Sequence, residues 1–142
     1  MKTLSKNEIL QFDQKGFLIK KNFFNKKYIQ KISNEVNLLK SKDQTKKVDR
    51  YFGTSVGNSR KLILVRIENF YNKSKYLTKL IDDQSIKKIL QKLFRNKAIL
   101  FKEKINFKPP GCGPDKLHQD SQAGWNKYAK DYINVLLSVE KS

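Results

Sequence analysis

The sequence predicts an α+β chain, and three observations predict it. Apolar residues recur at helical spacing in two places, from Tyr28 to Leu39 and from Ile86 to Phe94. Lys61-Leu-Ile-Leu-Val-Arg-Ile67 is a compact apolar run of strand type. From Ile99 onward the hydrophobic period changes to two. With 142 residues the chain is at most one domain, long enough to bury a core.

In chain order, Ser5-Lys-Asn-Glu8 has capping-box spacing ahead of Ile9, Leu10 and Phe12, and Gly16 is placed to end that short helix. Phe17–Phe24 reads as a strand. Asn25 caps a second helix, whose Tyr28, Ile29, Ile32, Val36 and Leu39 share one face. Residues 41–60 are polar, with Gly53 and Gly57 and few aliphatics, and read as a long loop excursion. The strand at Lys61–Ile67 is followed by a helical stretch around Leu77, Leu80 and Ile81. The cleanest amphipathic helix comes next, with Ile86, Ile89, Leu90, Leu93 and Phe94 on one face, expected to lie against a sheet.

The period-two segment puts Ile99, Phe101, Ile105 and Phe107 on one face, interrupted by Glu103. Lys102, Lys104, Asn106 and Lys108 occupy the other face, which is ordinarily a solvated one. Pro109-Pro-Gly-Cys-Gly-Pro114 must be a loop, because prolines deny ladder hydrogen bonds. A last strand is expected over Asp131–Val139, with Ile133, Val135, Leu137 and Val139 on one face and Asn134, Leu136 and Ser138 on the other.

Net charge is +18, from 31 basic and 13 acidic residues, which admits a nucleic-acid or anionic-membrane partner. The lysines, however, come as scattered pairs, and arginine, the side chain suited to bidentate phosphate contacts, occurs only at positions 50, 60, 66 and 95. A lysine-rich surface without a nucleic-acid role is the expected reading; a basic lysine/aromatic nucleic-acid-binding module is the alternative. One cysteine, Cys112, excludes an internal disulfide and a multi-cysteine zinc site. No apolar run approaches the roughly 20 residues of a membrane span, and the N-terminus lacks the apolar stretch of a signal peptide, so the cytoplasm is the expected location.

The one histidine, His118, lies two residues before Asp120. In extended backbone, residues i and i+2 point the same way, so an imidazole and a carboxylate can converge on one ion. That is two-thirds of the facial triad that holds non-haem Fe(II). A lone histidine in a polar loop is also commonly just solvated. Gln122, Trp125 and Tyr128 follow closely and either read a substrate or pack the loop.

The run Ile99-Leu-Phe-Lys-Glu-Lys-Ile-Asn-Phe-Lys-Pro-Pro-Gly111, the Gly/Pro loop and Leu117-His-Gln-Asp120 resemble the phytanoyl-CoA dioxygenase-like family of Fe(II)/2-oxoglutarate oxygenases. In that family a strand ending in a Lys-Pro-Gly-type turn leads into a His-Gln-Asp motif, and a strand like Tyr132–Val139 follows. Phe12-Asp-Gln-Lys-Gly-Phe-Leu-Ile19 is similar to the family's usual opening. The resemblance implies N-terminal helices packed on the first strands of a double-stranded β-helix, or jelly-roll. It implies Fe(II) held by His118, Asp120 and a later histidine, with 2-oxoglutarate and O2 as cosubstrates. Lys102, Asn106 and Asn134 are then expected to face 2-oxoglutarate, and Gln122 and Trp125 the substrate. Halogenating relatives lack a carboxylate at the position of Asp120, so hydroxylation of a small molecule is implied, and lysines near the mouth hint at an anionic one.

The chain is expected to be a single incomplete domain over residues 1–142, the N-terminal portion of an oxygenase and inactive alone. No second histidine is present to close a triad. The apolar face of 131–139 needs a partner, and only four or five strands are readable where a jelly-roll needs about eight.

Overall fold

A computed structural model describes residues 3–41, 47–114, 117–120 and 124–140. The architecture is α+β: helices α1 (Lys6–Lys15), α2 (Lys26–Lys40), α3 (Lys75–Ile81) and α4 (Gln84–Phe94), with strands β1 (Asp49–Ser55), β2 (Asn58–Glu68) and β3 (Lys104–Asn106). The strands form one antiparallel sheet in the order β1-β2-β3.

Local sequence sets the helix ends. Ser5 accepts from the Glu8 amide while the Glu8 carboxylate accepts from the Ser5 amide, the reciprocal capping box, and Gly16 closes α1 at φ 74°. Asn25 caps α2 by accepting from the Tyr28 amide, and Asp83 caps α4 by accepting from the amides of Ser85 and Ile86. At the far end of α2, Arg50 Nη2 donates to the Leu39 carbonyl at 3.0 Å, satisfying an orphan acceptor of the last turn.

The core lies where α2, flanked by α3, covers β2. Ile32, Val36, Leu39, Ile67, Phe70 and Leu77 are buried together, with Ile105, Phe107, Leu137 and Val139 packed around them. Truncating such a fully enclosed side chain to alanine ordinarily removes about 2–5 kcal/mol. Ser74 ties α3 to α2 by donating to the Glu35 carboxylate.

Five expectations are corrected. Phe17–Phe24 forms no strand: Phe17 and Ile19 are exposed, Asn22 turns the chain at φ 53°, and Phe23, Phe24 and Tyr28 stack at the start of α2. Apolar alternation without a neighbouring strand makes no ladder. The excursion expected over 41–60 is largely β1 and a hairpin, although 42–46 fall outside the described residues. Its polar look is that of an edge strand, and Gly57 at φ 84° supplies the left-handed turn residue. The strand read from Ile99 shrinks to Lys104–Asn106; Ile99 is 79% exposed, and only Ile105 and Phe107 reach the core. Glu103, which interrupts that apolar face, turns inward to accept from the Tyr71 amide at 3.0 Å.

Helix α4 lies against α1, joined by the Arg95–Asp13 ion pair, and the helix that meets the sheet is α2. Asp131–Val139 is described without strand pairing; Leu137 and Val139 touch the core while Leu136 is 88% exposed. Among the described residues, no helix is long and apolar enough to cross a membrane.

Candidate metal centre

The path into the site begins at β3. Its short ladder pairs Ile105 with Ile67 and Asn106 with Arg66, and Pro109-Pro110 then ends strand geometry. Gly111 sits at φ 83°, where a Cβ would meet Ser55 Oγ at 2.8 Å; only glycine fits both the conformation and the space. Its carbonyl accepts from the Val56 amide at 2.9 Å, so the tip of the β1–β2 hairpin pins the loop that leads to His118.

Beyond the loop, Leu117 to Asp120 carries the two donors. His118 Nε2 and Asp120 Oδ1 lie 3.7 Å apart, so the i, i+2 side chains point the same way. His118 is 58% exposed and Asp120 23%. The other carboxylate oxygen, Asp120 Oδ2, accepts from Asn134 Nδ2 at 2.6 Å. Donors about 2.1 Å from one ion and at right angles lie roughly 3.0 Å apart, so a small side-chain rotation brings this pair onto one metal. The donor chemistry, one imidazole and one carboxylate, fits Fe(II) as far as two ligands go. Among the described residues, no group of three or more His, Cys, Asp or Glu could hold a metal ion.

The remaining candidates are distributed around this pair. Asn134 joins it directly. Lys102 instead pairs with Glu68 Oε2 at 2.9 Å, and Asn106 stands exposed on the sheet in register with Arg66. Trp125 belongs to an aromatic cluster with Phe101 and Tyr132, and Tyr128 stacks on Phe101. The Tyr132 hydroxyl donates to the Trp125 carbonyl at 2.6 Å, and Lys104 Nζ sits 6.0 Å over the indole. Packing the loop is thus what Trp125 is seen to do. Gln122 lies outside the described residues.

Two features escaped the sequence reading. Glu68 is only 5% exposed and gathers both Arg66 and Lys102, while the Arg66 guanidinium lies 4.3 Å over the Tyr51 ring. The signal was present in Val65-Arg-Ile-Glu68, where two charges alternate with apolar residues at the end of a strand. Asn134 looked like one residue on a polar strand face, and nothing local connects it to Asp120, 14 residues away. A separate open cleft of about 790 Å³ between Asn25 and Tyr28 of α2 and Lys79 and Asp83 shares no lining residue with the His118–Asp120 pair.

Comparison with known proteins assigns the chain to a family. The chain is 32% identical, over all of its length and 54% of the relative's, to a 2-aminoethylphosphonate dioxygenase from the uncultured bacterium HF130_AEPn_1, so it spans about half the length of that protein. No solved structure matches it. The phytanoyl-CoA dioxygenase (PhyH) family model matches residues 12–141, and the chain belongs to that family.

Proposed function

We propose that this chain is the iron-binding N-terminal portion of an Fe(II)/2-oxoglutarate-dependent oxygenase that hydroxylates a small anionic metabolite. One observation carries the reading: in a member of the phytanoyl-CoA dioxygenase family, the only histidine converges with Asp120 to 3.7 Å while the second carboxylate oxygen is already held. Bound Fe(II), with 2-oxoglutarate as cosubstrate, would supply the activation of O2 that attack on an unactivated carbon requires.

His118 contributes a neutral imidazole nitrogen and Asp120 an anionic oxygen. A third donor, a histidine in the family pattern, comes from beyond these 142 residues, together with the basic group for the far carboxylate of 2-oxoglutarate. In this reading the jelly-roll is completed by the same later segment. By the family resemblance Lys102, Asn106 and Asn134 are assigned to the cosubstrate, for which amine and amide donors suit a dicarboxylate. Lys102 stands beside Glu68 and Arg66, so its charge toward an anion is shared within that cluster. By the family resemblance Gln122 and Trp125 are assigned to substrate contact. The name of the relative and the basic surface favour a phosphonate or similar small anion as substrate.

The test is succinate release by the full-length protein with excess Fe(II), 2-oxoglutarate and a panel of small phosphonates and carboxylates, 2-aminoethylphosphonate among them. Substrate-dependent release, abolished by His118→Ala and by Asp120→Ala, is expected; wild-type-like turnover in either variant overturns the assignment. The 142-residue chain alone is expected to bind Fe(II) weakly and to leave 2-oxoglutarate intact. Tight stoichiometric binding with turnover would overturn both site and fold.

A further inference from the structure

We infer that Asn134 is a positioning residue for Asp120: its side-chain amide holds one carboxylate oxygen so that the other is presented beside His118. The inference rests on the proposed metal role of His118 and Asp120, and it gives Asn134 a different task from contact with 2-oxoglutarate.

The contact is specific. Asn134 Nδ2 lies 2.6 Å from Asp120 Oδ2, short for an N–H···O bond and in the direction of a charge-assisted one. Asp120 Oδ1 is the oxygen that faces His118 Nε2. The two oxygens are therefore divided between two tasks, which leaves a one-oxygen donor and keeps neighbouring coordination positions open. The amide orientation follows from its partner, since a carboxylate only accepts and the amide oxygen would be repelled by it.

Asn134 is also the better anchored of the two. Two residues before it, Tyr132 packs with ring centroids 5.0 Å from Phe101 and 5.4 Å from Trp125, and its hydroxyl reaches the Trp125 carbonyl. Three and five residues after it, Leu137 and Val139 pack against the buried core. Asp120 follows a Gly/Pro-rich loop, and the apolar residue described beside it, Leu117, is fully exposed. Orientation passes from Asn134 to Asp120.

Outer partners of metal ligands typically set metal affinity by about 10–100-fold. The experiment uses full-length protein with Co(II) as probe, titrated calorimetrically and followed by its visible spectrum, and with 2-oxoglutarate affinity measured separately. Asn134→Ala and the isosteric Asn134→Asp, which removes the donor, are each expected to weaken Co(II) binding by about 10–100-fold and to alter the spectrum. The urea midpoint of the metal-free protein should not move. Unchanged Co(II) affinity and spectrum in both variants, beside lost binding in Asp120→Ala, would overturn this inference while leaving the metal reading intact. Weaker 2-oxoglutarate binding at unchanged Co(II) affinity would also overturn it, returning Asn134 to the cosubstrate. If Asp120→Ala itself binds Co(II) normally, the metal reading fails first and this inference with it.

Discussion

Ile67 and Leu136 are both aliphatic residues in segments of strand composition, yet the first is wholly buried and the second is 88% exposed. The difference lies in what stands opposite. Ile67 has a second layer above it, the α2–α3 face of Ile32, Val36, Leu39 and Leu77, and strands on either side. Leu136 belongs to a segment with no ladder partner among the described residues, and its neighbours Leu137 and Val139 find the core. The candidate metal centre belongs to the second kind of region. It is set by a pinned glycine, an aromatic cluster and one amide–carboxylate bond rather than by enclosure. Stability and site geometry are thus placed in separate parts of the chain, and substitutions should separate them.

The largest effect is expected where function lacks structural weight. If His118 and Asp120 hold iron as proposed, His118→Ala or Asp120→Ala in the full-length protein should lower turnover on the order of 10³-fold or more, since a lost ligand forfeits several kcal/mol of metal-centred stabilisation. The unfolding free energy should change by less than about 0.5 kcal/mol, as for other partly exposed positions. Parallel activity and urea-denaturation measurements check both halves, and a large loss of stability would erase the contrast between the regions.

Next in size, Leu39→Ala and Ile67→Ala should each destabilise by about 2–5 kcal/mol, whereas Leu136→Ala should stay within about 0.5 kcal/mol. Equal losses at Ile67 and Leu136 in denaturant titrations would mean that the 131–139 segment is enclosed in solution. Gly111→Ala tests the junction between the regions. It should lose about 1–2 kcal/mol from the left-handed backbone alone, with a further part from the 2.8 Å approach to Ser55 Oγ. Adding Ser55→Ala should recover only that second part, read as a partial return of the midpoint.

The smallest effect concerns α1. The Lys20 ammonium, and after it the Ser5 backbone amide, hold the Glu8 carboxyl down at about 2 against an ordinary 4.5. A group whose folded value is depressed stabilises in full above its unfolded value and loses that contribution as pH falls toward the folded one. Glu8→Gln should therefore be slightly less stable than wild type at neutral pH, and the two should converge as pH falls from 4.5 toward 2. A gap that persists at the acid end would place the stabilisation elsewhere. Ser5→Ala should lose about 1 kcal/mol through the cap.

The legible parts of the sequence are those in which chemistry acts locally. Ser5 and Glu8, and Asn25, cap their helices because the partner is three residues away. The buried α2 face follows from 3.6-residue spacing, and the His118–Asp120 approach from the period of two. What local pattern does not carry is partnership. Phe17–Phe24 and Asp131–Val139 have strand composition but no strand neighbour among the described residues, while polar Asp49–Ser55 becomes a strand because β2 is there to receive it. The same holds for Glu68 with Lys102 and for Asn134 with Asp120, pairs joined across 34 and 14 residues respectively.

The pinned glycine has a consequence in time as well as in space. The Val56–Gly111 bond joins segments about 55 residues apart, and closing so long a loop is entropically unfavourable unless the sheet between them already exists. Asp120 and Asn134 are separated by 14 residues and need only a short closure once both flanks are held. On loop-closure grounds the expected order of folding is the β1–β2 hairpin first, the Gly/Pro loop docking on its tip second, and the pairing of Asp120 with Asn134 last. In amide exchange, the amides of β2 should open only with global unfolding, the Val56 amide earlier, and those around His118 earliest. The segment around His118 and Asp120 would then order after the hairpin and loosen before it under stress.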